Sequence, residues 1–488
     1  MRSEGIRLLF LMKKDAVTKK SGKKIILIVS AALLAFITVY LVLVCIPYRG
    51  KLTVSDDVKN SFSAEAFYSD TVGKERVMLL EDAGAAFLHR IDVIQKAQNT
   101  ILFSTFLFFQ GDSSDIFTGA LLDAADRGVE VFVLIDKWAD IPISYQNCFI
   151  SNRNIHFYIF NPLNFLSPGY LNASFHDKCL IVDDSYYIIG GRNISDTYFY
   201  EDSPYFQSDL DVLIFNTDTA YKGALCQGQE YYHDMLNSPL TRSYTALPEK
   251  NAAQALADAR LYADSFRKFK ERSLDGKEII YSDLTIPANR ITLITNHSND
   301  GTRKEPVIAW TLWNLAKDSE TIIMHSPFVV LTKNDFSLFS DAVRGKNVTL
   351  ITNSIAASHD PYSFSNYYIN RKKYLDLGVN LYEYQSVNAS LHDKCYVFDD
   401  RLTVIGSFNL DERSIRVDTE SMVIIDSPEF NAATKTMLQD NMDQCLLVDA
   451  DTNEYIANSG VEPSKSSWSK RFIYVFLGHV MSLIDYLL

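Results

Sequence analysis

The most pronounced apolar run in the chain lies near its start: Ile25 to Ile46, 22 residues without a charge, closed by Pro47. That length predicts one membrane-spanning helix over 25–47, because a bilayer core takes roughly 20 apolar residues. Beyond it the pattern changes to amphipathic helical stretches alternating with short apolar runs. Ala85–Ala97 reads as a helix leading to the strand Asn99-Thr-Ile-Leu-Phe-Ser-Thr-Phe, and 114–127 reads as a second helix ending at Gly128. Val129–Asp136 and 155–160 follow as apolar strands, and 207–216 closes the series. Such alternation predicts βαβ units and a mainly parallel sheet covered on both faces. The plan then repeats. Residues 305–318 predict a helix, and 321–326, 347–352 and 379–383 predict the matching strands.

The expected fold class is therefore α/β, with two duplicated αβα halves packed about a pseudo-twofold axis and preceded by one transmembrane helix. The expected order is a basic cytoplasmic tail at 1–24, the span at 25–47 and a linker at 48–74. A first half at 75–236, a polar linker at 237–290 and a second half at 291–466 follow. Residues 467–488 are an apolar C-terminal segment, short for a span and better suited to lying in a membrane interface.

Charge refines this picture. The first 24 residues hold eight Lys/Arg and two acids, a balance of +6; the whole chain is −13, so the remainder carries −19. Lysines crowd the N-terminal flank of the apolar run, whereas only Arg49 and Lys51 follow it closely. The positive-inside rule then places the tail in the cytoplasm and the body outside. A body of −19 is a poor generic binder of nucleic acid, whose affinity rests on neutralising phosphates. The six cysteines are scattered and make no zinc pattern.

The candidate chemistry sits in a stretch that occurs twice. Asn172-Ala-Ser-Phe-His176-Asp-Lys178 runs on to Asp183 and then Gly190-Gly-Arg-Asn193. Asn388-Ala-Ser-Leu-His392-Asp-Lys394 runs on to Asp399 and then Gly406-Ser-Phe-Asn409, each key position offset by 216. In a strand, His176 and Lys178 share a face, as do His392 and Lys394. Two imidazoles, two ammonium groups and the amides of Asn193 and Asn409, brought together, form a cage for a phosphodiester and its five-coordinate transition state. One histidine attacks phosphorus while the other protonates the leaving alkoxide. No metal is required, and no cofactor is expected.

A nucleophilic imidazole needs an acceptor on its far nitrogen. Aligning 420–425 with 209–214 pairs Glu420 with Asp209, giving Glu420 as the expected orienter of His392 and Asp209 as that of His176. Asp211 is a weaker choice on the same face. Asp183 and Asp399 complete the written catalytic motif, yet strand parity puts them opposite the histidines, where tying a turn is the better role. Arg413 stands between site wall and local ion pair, and His325 and Asn353, at strand ends, are candidates to line the pocket.

The duplicated His-x-Lys-(four residues)-Asp motif with its Gly-x-Asn partner resembles the phospholipase D superfamily. Phe160-Asn-Pro162, the stretch from Gly190 to Phe199, Ser208–Val212, Ile351–Ala357 and Gly406–Ser414 are similar to bacterial cardiolipin synthases of the two-motif type, from about residue 75 onward. Glu412 departs from relatives that carry proline or methionine at this turn. The resemblance implies two phospholipase D-like halves and transfer of a phosphatidyl group, through a phosphohistidine, to phosphatidylglycerol or a related acceptor. It implies membrane phospholipids as partners (phosphatidylglycerol, phosphatidylethanolamine or cardiolipin), and His176 as the nucleophile. Hydrolysis to phosphatidic acid would use the same residues. A membrane-anchored nuclease of the superfamily is disfavoured by the acidic body.

Overall fold

The computed structural model describes residues 2–49, 53–276, 278–296, 303–358, 360–457 and 460–488. The lysines before Lys24 and Lys51, on which the orientation argument rests, lie outside the side chains it describes. One continuous helix, Arg2–Cys45, contains the apolar run, and Lys24–Tyr48 is long and apolar enough to cross a membrane.

The body consists of two sheets of nine and eight strands. In the first, Thr100–Thr105, Glu130–Asp136 and Ile155–Phe160 are parallel, joined by helices at Asp112–Asp126 and Ile143–Ser151. The second repeats this with Thr321–His325, Asn347–Asn353 and Asn380–Tyr384. These parallel trios are the expected βαβ units. The rest of each sheet is antiparallel, so the sheets are mixed rather than mainly parallel. The reason lies in the motif itself: Cys179–Val182 turns back at once into Tyr186–Gly190, and Cys395–Phe398 into Leu402–Gly406. Only antiparallel strands join through so short a turn.

Each half has its own apolar core on the outer face of its sheet. A third cluster, including Leu102, Val212, Leu391 and Val423, draws residues from both halves and glues the sheets together. Helix Ala224–Leu236 reaches from the first half to strand Arg290–Thr295, and Pro428–Met442 reaches from the second half to Glu75–Leu80. The exchange is symmetric, as a duplicated unit closing on itself requires.

The stretch 237–290 differs from the polar linker expected. Thr241–Tyr244 adds to the edge of the first sheet, and helix Glu249–Ser273 buries Tyr262, Phe266 and Phe269 against the first core. Its charged residues hid this, because the apolar positions recur only once per turn or so. Helix Trp468–Met481 docks Tyr474 and Gly478 on helix Pro361–Leu375, with no room for a side chain at Gly478 beside the Ser365 carbonyl. Its other face leaves Trp468, Phe472 and Phe476 exposed, and Leu483 just beyond its end is exposed too.

Candidate active site

The two motifs meet between the halves. The residues before each motif histidine run alongside the opposite half: Ala389–Leu391 pairs in parallel with Phe206–Ser208, and Phe175 bridges Thr419. The His392 amide donates to the Ser208 carbonyl at 2.6 Å, and the His176 amide to the Thr419 carbonyl at 3.2 Å. Asp209 and Glu420 are the next residues along. Each carboxylate is thereby delivered to the histidine of the other half. His176 Nδ1 lies 2.9 Å from Glu420 Oε1, and His392 Nδ1 lies 2.6 Å from Asp209 Oδ2. The pairing expected from sequence is thus corrected. The alignment identified equivalent acids, but equivalence within the repeat does not reveal that the partners are exchanged across the twofold.

The motif histidines and lysines precede strands Cys179–Val182 and Cys395–Phe398 rather than lying within them. In both halves the lysine ammonium nonetheless folds back to donate to the carbonyl of its own motif histidine. Lys178 is 3% exposed and Lys394 fully buried. Burial pushes Lys178 down to about 7, and it also lowers Lys394. Both histidines are held neutral: burial, then the motif lysine beside each, pulls His176 well down and His392 to about 4. Lys394 Nζ also approaches His392 Nδ1 at 2.7 Å. That nitrogen cannot both donate to Asp209 and accept from the ammonium. With Asp209 ionised, its proton stays on Nδ1 and Nε2 is left with its lone pair free.

The two orienting acids differ. Burial would raise Asp209, but Lys394 and His392 outweigh it and hold the carboxyl near about 2. Glu420 is pushed by burial to about 8, against Lys178 and the hydroxyls of Ser407 and Ser414, which both donate to it. Ser407 is the variable position of the Gly-(Gly/Ser)-x-Asn element. Its counterpart, Gly191, has no room for a Cβ, which would stand 2.2 Å from Asp209 Oδ1.

Three aromatic rings that the sequence reading missed wall the site. Phe106 meets His176 edge-on at 4.9 Å between centroids, and Tyr198 and Phe328 meet His392 at 5.5 and 6.2 Å. Phe106 and Phe328 follow the C-terminal ends of parallel strands, a position that could have been read as pocket-lining. Asn193, expected as a phosphate donor, instead holds this wall: its Oδ1 accepts from the Leu107 amide at 2.9 Å and its Nδ2 donates to the Tyr198 hydroxyl. Asn409 is buried and its Oδ1 has no hydrogen-bond partner among the described residues, but that atom is an acceptor and offers nothing to a phosphate oxygen.

The remaining candidates separate cleanly. Asp183 caps the amides of Gln98, Asn99 and Thr100, and Asp399 caps those of Glu320 and Thr321. Both therefore tie the turn to a neighbouring strand, at the far end from the histidines. Asp211 is fully buried between Arg90 and Arg192, at 2.9 and 2.8 Å, and orients nothing. Arg413 pairs with Asp418 at 2.8 Å while also reaching the Asn172 carbonyl. Asn353 clamps both backbone groups of Leu391, just ahead of His392. His325 is fully buried, with Nδ1 3.1 Å from Asp393 Oδ2 but out of hydrogen-bonding alignment.

A family model described as cardiolipin synthase, PLD-like domain matches twice, over residues 91–222 and 312–442, together more than half of the chain. The chain belongs to this family. Among its relatives, cardiolipin synthase C of Escherichia coli strain K12 is 28% identical over 384 residues, covering 71% of this chain and 80% of that protein. An uncharacterised Helicobacter pylori J99 protein is 29% identical over 411 residues, 75% and 79% of the two chains. The crystal structure of phosphatidylserine synthase from Haemophilus influenzae Rd KW20 has a TM-score of 0.60 at 13% identity, covering 84% of this chain and 95% of that one, a likeness of fold. At the family level this cardiolipin synthase-like chain is a phosphatidyltransferase of phospholipase D type, and its two matched segments each contain one histidine–lysine motif.

Proposed function

We propose that this protein is a membrane-bound enzyme that makes cardiolipin by moving a phosphatidyl group onto phosphatidylglycerol through a covalent phosphohistidine. The observation that carries the reading is the crossed pair of neutral histidines, each with Nδ1 on a buried carboxyl group of the other half and a motif lysine alongside. In the first step Nε2 of one histidine forms a bond to phosphorus, and the bond to the leaving glycerol oxygen breaks. The second histidine, which takes up a proton from solvent as the anionic lipid arrives, gives that proton to the leaving oxygen. It then takes the proton of the acceptor hydroxyl, whose oxygen attacks phosphorus as the P–N bond breaks. Lys178 and Lys394 face the charge on the equatorial oxygens. Family resemblance puts the nucleophile at His176; His392 is then the acid and base.

The lipid substrate fits an acidic body tethered by Lys24–Tyr48, because a tether raises local substrate concentration without new contacts. We place the tail inside and the catalytic body outside the cytoplasmic membrane, with the aromatic face of Trp468–Met481 in the interface. Purified full chain in vesicles of phosphatidylglycerol, alone and with phosphatidylethanolamine, tests the reading. Cardiolipin should form and be lost in His176→Asn and His392→Asn. Phosphatidic acid as the sole product would refute it.

A further inference from the structure

The connection that leads to the first motif is longer than its counterpart. From strand end to histidine it runs from Phe160 to His176, whereas the second half needs only Tyr384 to His392, eight residues fewer. The extra length forms a closed loop over 162–171. At its base Asn161, in the left-handed region at φ 48°, donates its amide to the carbonyls of Tyr170 and Ala173 at 2.6 and 2.7 Å. At the tip Asn164 accepts from the Leu166 amide and donates to Ser167 Oγ, and its carbonyl accepts from the Ser167 amide. The polar groups thus turn inward. The apolar side chains turn out, with Leu166 94% and Phe165 66% exposed.

This loop is fastened to the apolar helix at three levels. Tyr40 donates its hydroxyl to the Phe165 carbonyl at 2.8 Å, Asn172 donates its amide to the Val44 carbonyl at 3.1 Å, and Tyr48 donates to the Gly169 carbonyl at 2.9 Å. Tyr40 lies six residues inside the end of the uncharged run at Ile46. At about 1.5 Å per helical residue, that places the loop tip about 9 Å below the exit of the span. A non-helical segment at such depth needs partners for its backbone; the amides of Leu166, Ser167, Tyr170 and Leu171 are bonded within the loop, whereas those of Leu163, Asn164 and Phe165 have no hydrogen bond among the described residues.

We propose that the loop 162–171 is a wedge in the outer leaflet, with Leu163, Phe165 and Leu166 among acyl chains, holding the mouth of the site at the bilayer so that lipid reaches His176 without leaving it. The wedge rests on the reading of Ile25–Ile46 as a span. Behind the tip, Lys137, Asn161 and Arg242 line a cavity of about 320 Å³. A recess of mixed lining with two cationic side chains, beneath an apolar tip, offers contacts to both ends of a phospholipid. The committed partner is the hydrocarbon of the membrane, chosen because the tip is bonded to a residue inside the apolar run.

Full-length Phe165→Trp, reconstituted in vesicles, should show an added emission that is blue-shifted, quenched several-fold by lipids with brominated chains and shielded from aqueous iodide. Asp184→Trp, in the turn at the far end of the motif strand, should show the opposite. Leu34→Trp reports the span separately: quenching at 34 without quenching at 165 overturns the wedge, and quenching at neither overturns the span with it. Leu166→Asp should lower turnover of vesicle phosphatidylglycerol at least tenfold while changing that of monomeric short-chain phosphatidylglycerol less than twofold. Equal loss on both overturns the delivery role. An unmutated protein inactive on lipid would refute the proposed reaction, while the quenching still decides the wedge.

Discussion

The exchange of orienting acids across the twofold makes a sharp prediction, because the alternative pairing is chemically equivalent and differs only in who touches whom. Each contact joins an imidazole Nδ1 to a fully buried carboxyl group; the bond to ionised Asp209 is charge-assisted and worth about 1.5–3 kcal/mol, whereas that to Glu420, whose carboxyl burial raises, is worth about 0.5–1.5 kcal/mol. Four substitutions separate the cases: His176→Ala, His392→Ala, Glu420→Gln and Asp209→Asn. In double-mutant cycles of unfolding free energy, measured by urea in detergent, the pair His392/Asp209 should couple by about 2 kcal/mol and the pair His176/Glu420 by about 1 kcal/mol. The pairs His176/Asp209 and His392/Glu420 should couple by less than about 0.5 kcal/mol. Turnover should fall further than this energy alone implies. A coupling of about 2 kcal/mol corresponds to roughly 30-fold, but Gln or Asn can present its NH2 to Nδ1 and stabilise the wrong tautomer. The same change in a serine protease triad costs about 10⁴-fold, so losses of about 10³ to 10⁴ are expected for either acid. Coupling found in the His176/Asp209 pair and absent from His176/Glu420 would refute the crossed arrangement.

Other outcomes follow from neighbouring geometry. Asp399→Ala should lower stability by about 1–3 kcal/mol, by leaving the Glu320 and Thr321 amides without an acceptor, while kcat per folded molecule stays within about threefold; a loss of kcat matching that of Glu420→Gln would show that this acid takes part in chemistry. Gly191→Ala, in contrast, should cut activity at least about 100-fold with a small change in melting, because the added Cβ meets Asp209 Oδ1 at 2.2 Å; normal kinetics would mean that Asp209 has freedom the structure does not show. Burial, with Lys394 beside it, lowers His325 to about 3 in the folded state. The unfolded chain therefore binds the proton first, and stability is lost as pH falls from about 6.5 toward 3. The melting difference between the unmutated protein and His325→Gln should move against the unmutated protein over that window; a pH-independent difference would refute the assignment.

Much of this architecture was written in local patterns. The long apolar helix, the two βαβ trios and the repeated motif each depend on residues close in sequence, where periodicity and spacing speak directly. The acids Asp209 and Glu420 were legible too, since they occupy equivalent places in the two closing strands. Their partners were not, because pairing is decided by Ala389–Leu391 lying beside Phe206–Ser208, a contact between segments about 180 residues apart. The same limit applies to the aromatic wall: Phe106, Tyr198 and Phe328 become neighbours of the histidines only after both sheets have formed. The helix Glu249–Ser273 was misread for another reason. Most of its surface is charged, and the few rings that anchor it look like noise until the first core is there to receive them.

Carrying both motifs in one polypeptide has a consequence that a symmetric dimer of single-motif chains could not reach. In such a dimer one gene sets both orienting acids, so any change made for one histidine is imposed on the other. Here Asp209 stands behind His392 in front of a glycine, while Glu420 stands behind His176 with two serine hydroxyls on it. One imidazole is backed by a firmly ionised acid and the other by an acid that burial makes hold its proton more tightly than usual. Two copies of the motif in one chain thus leave the surroundings of each histidine free to differ.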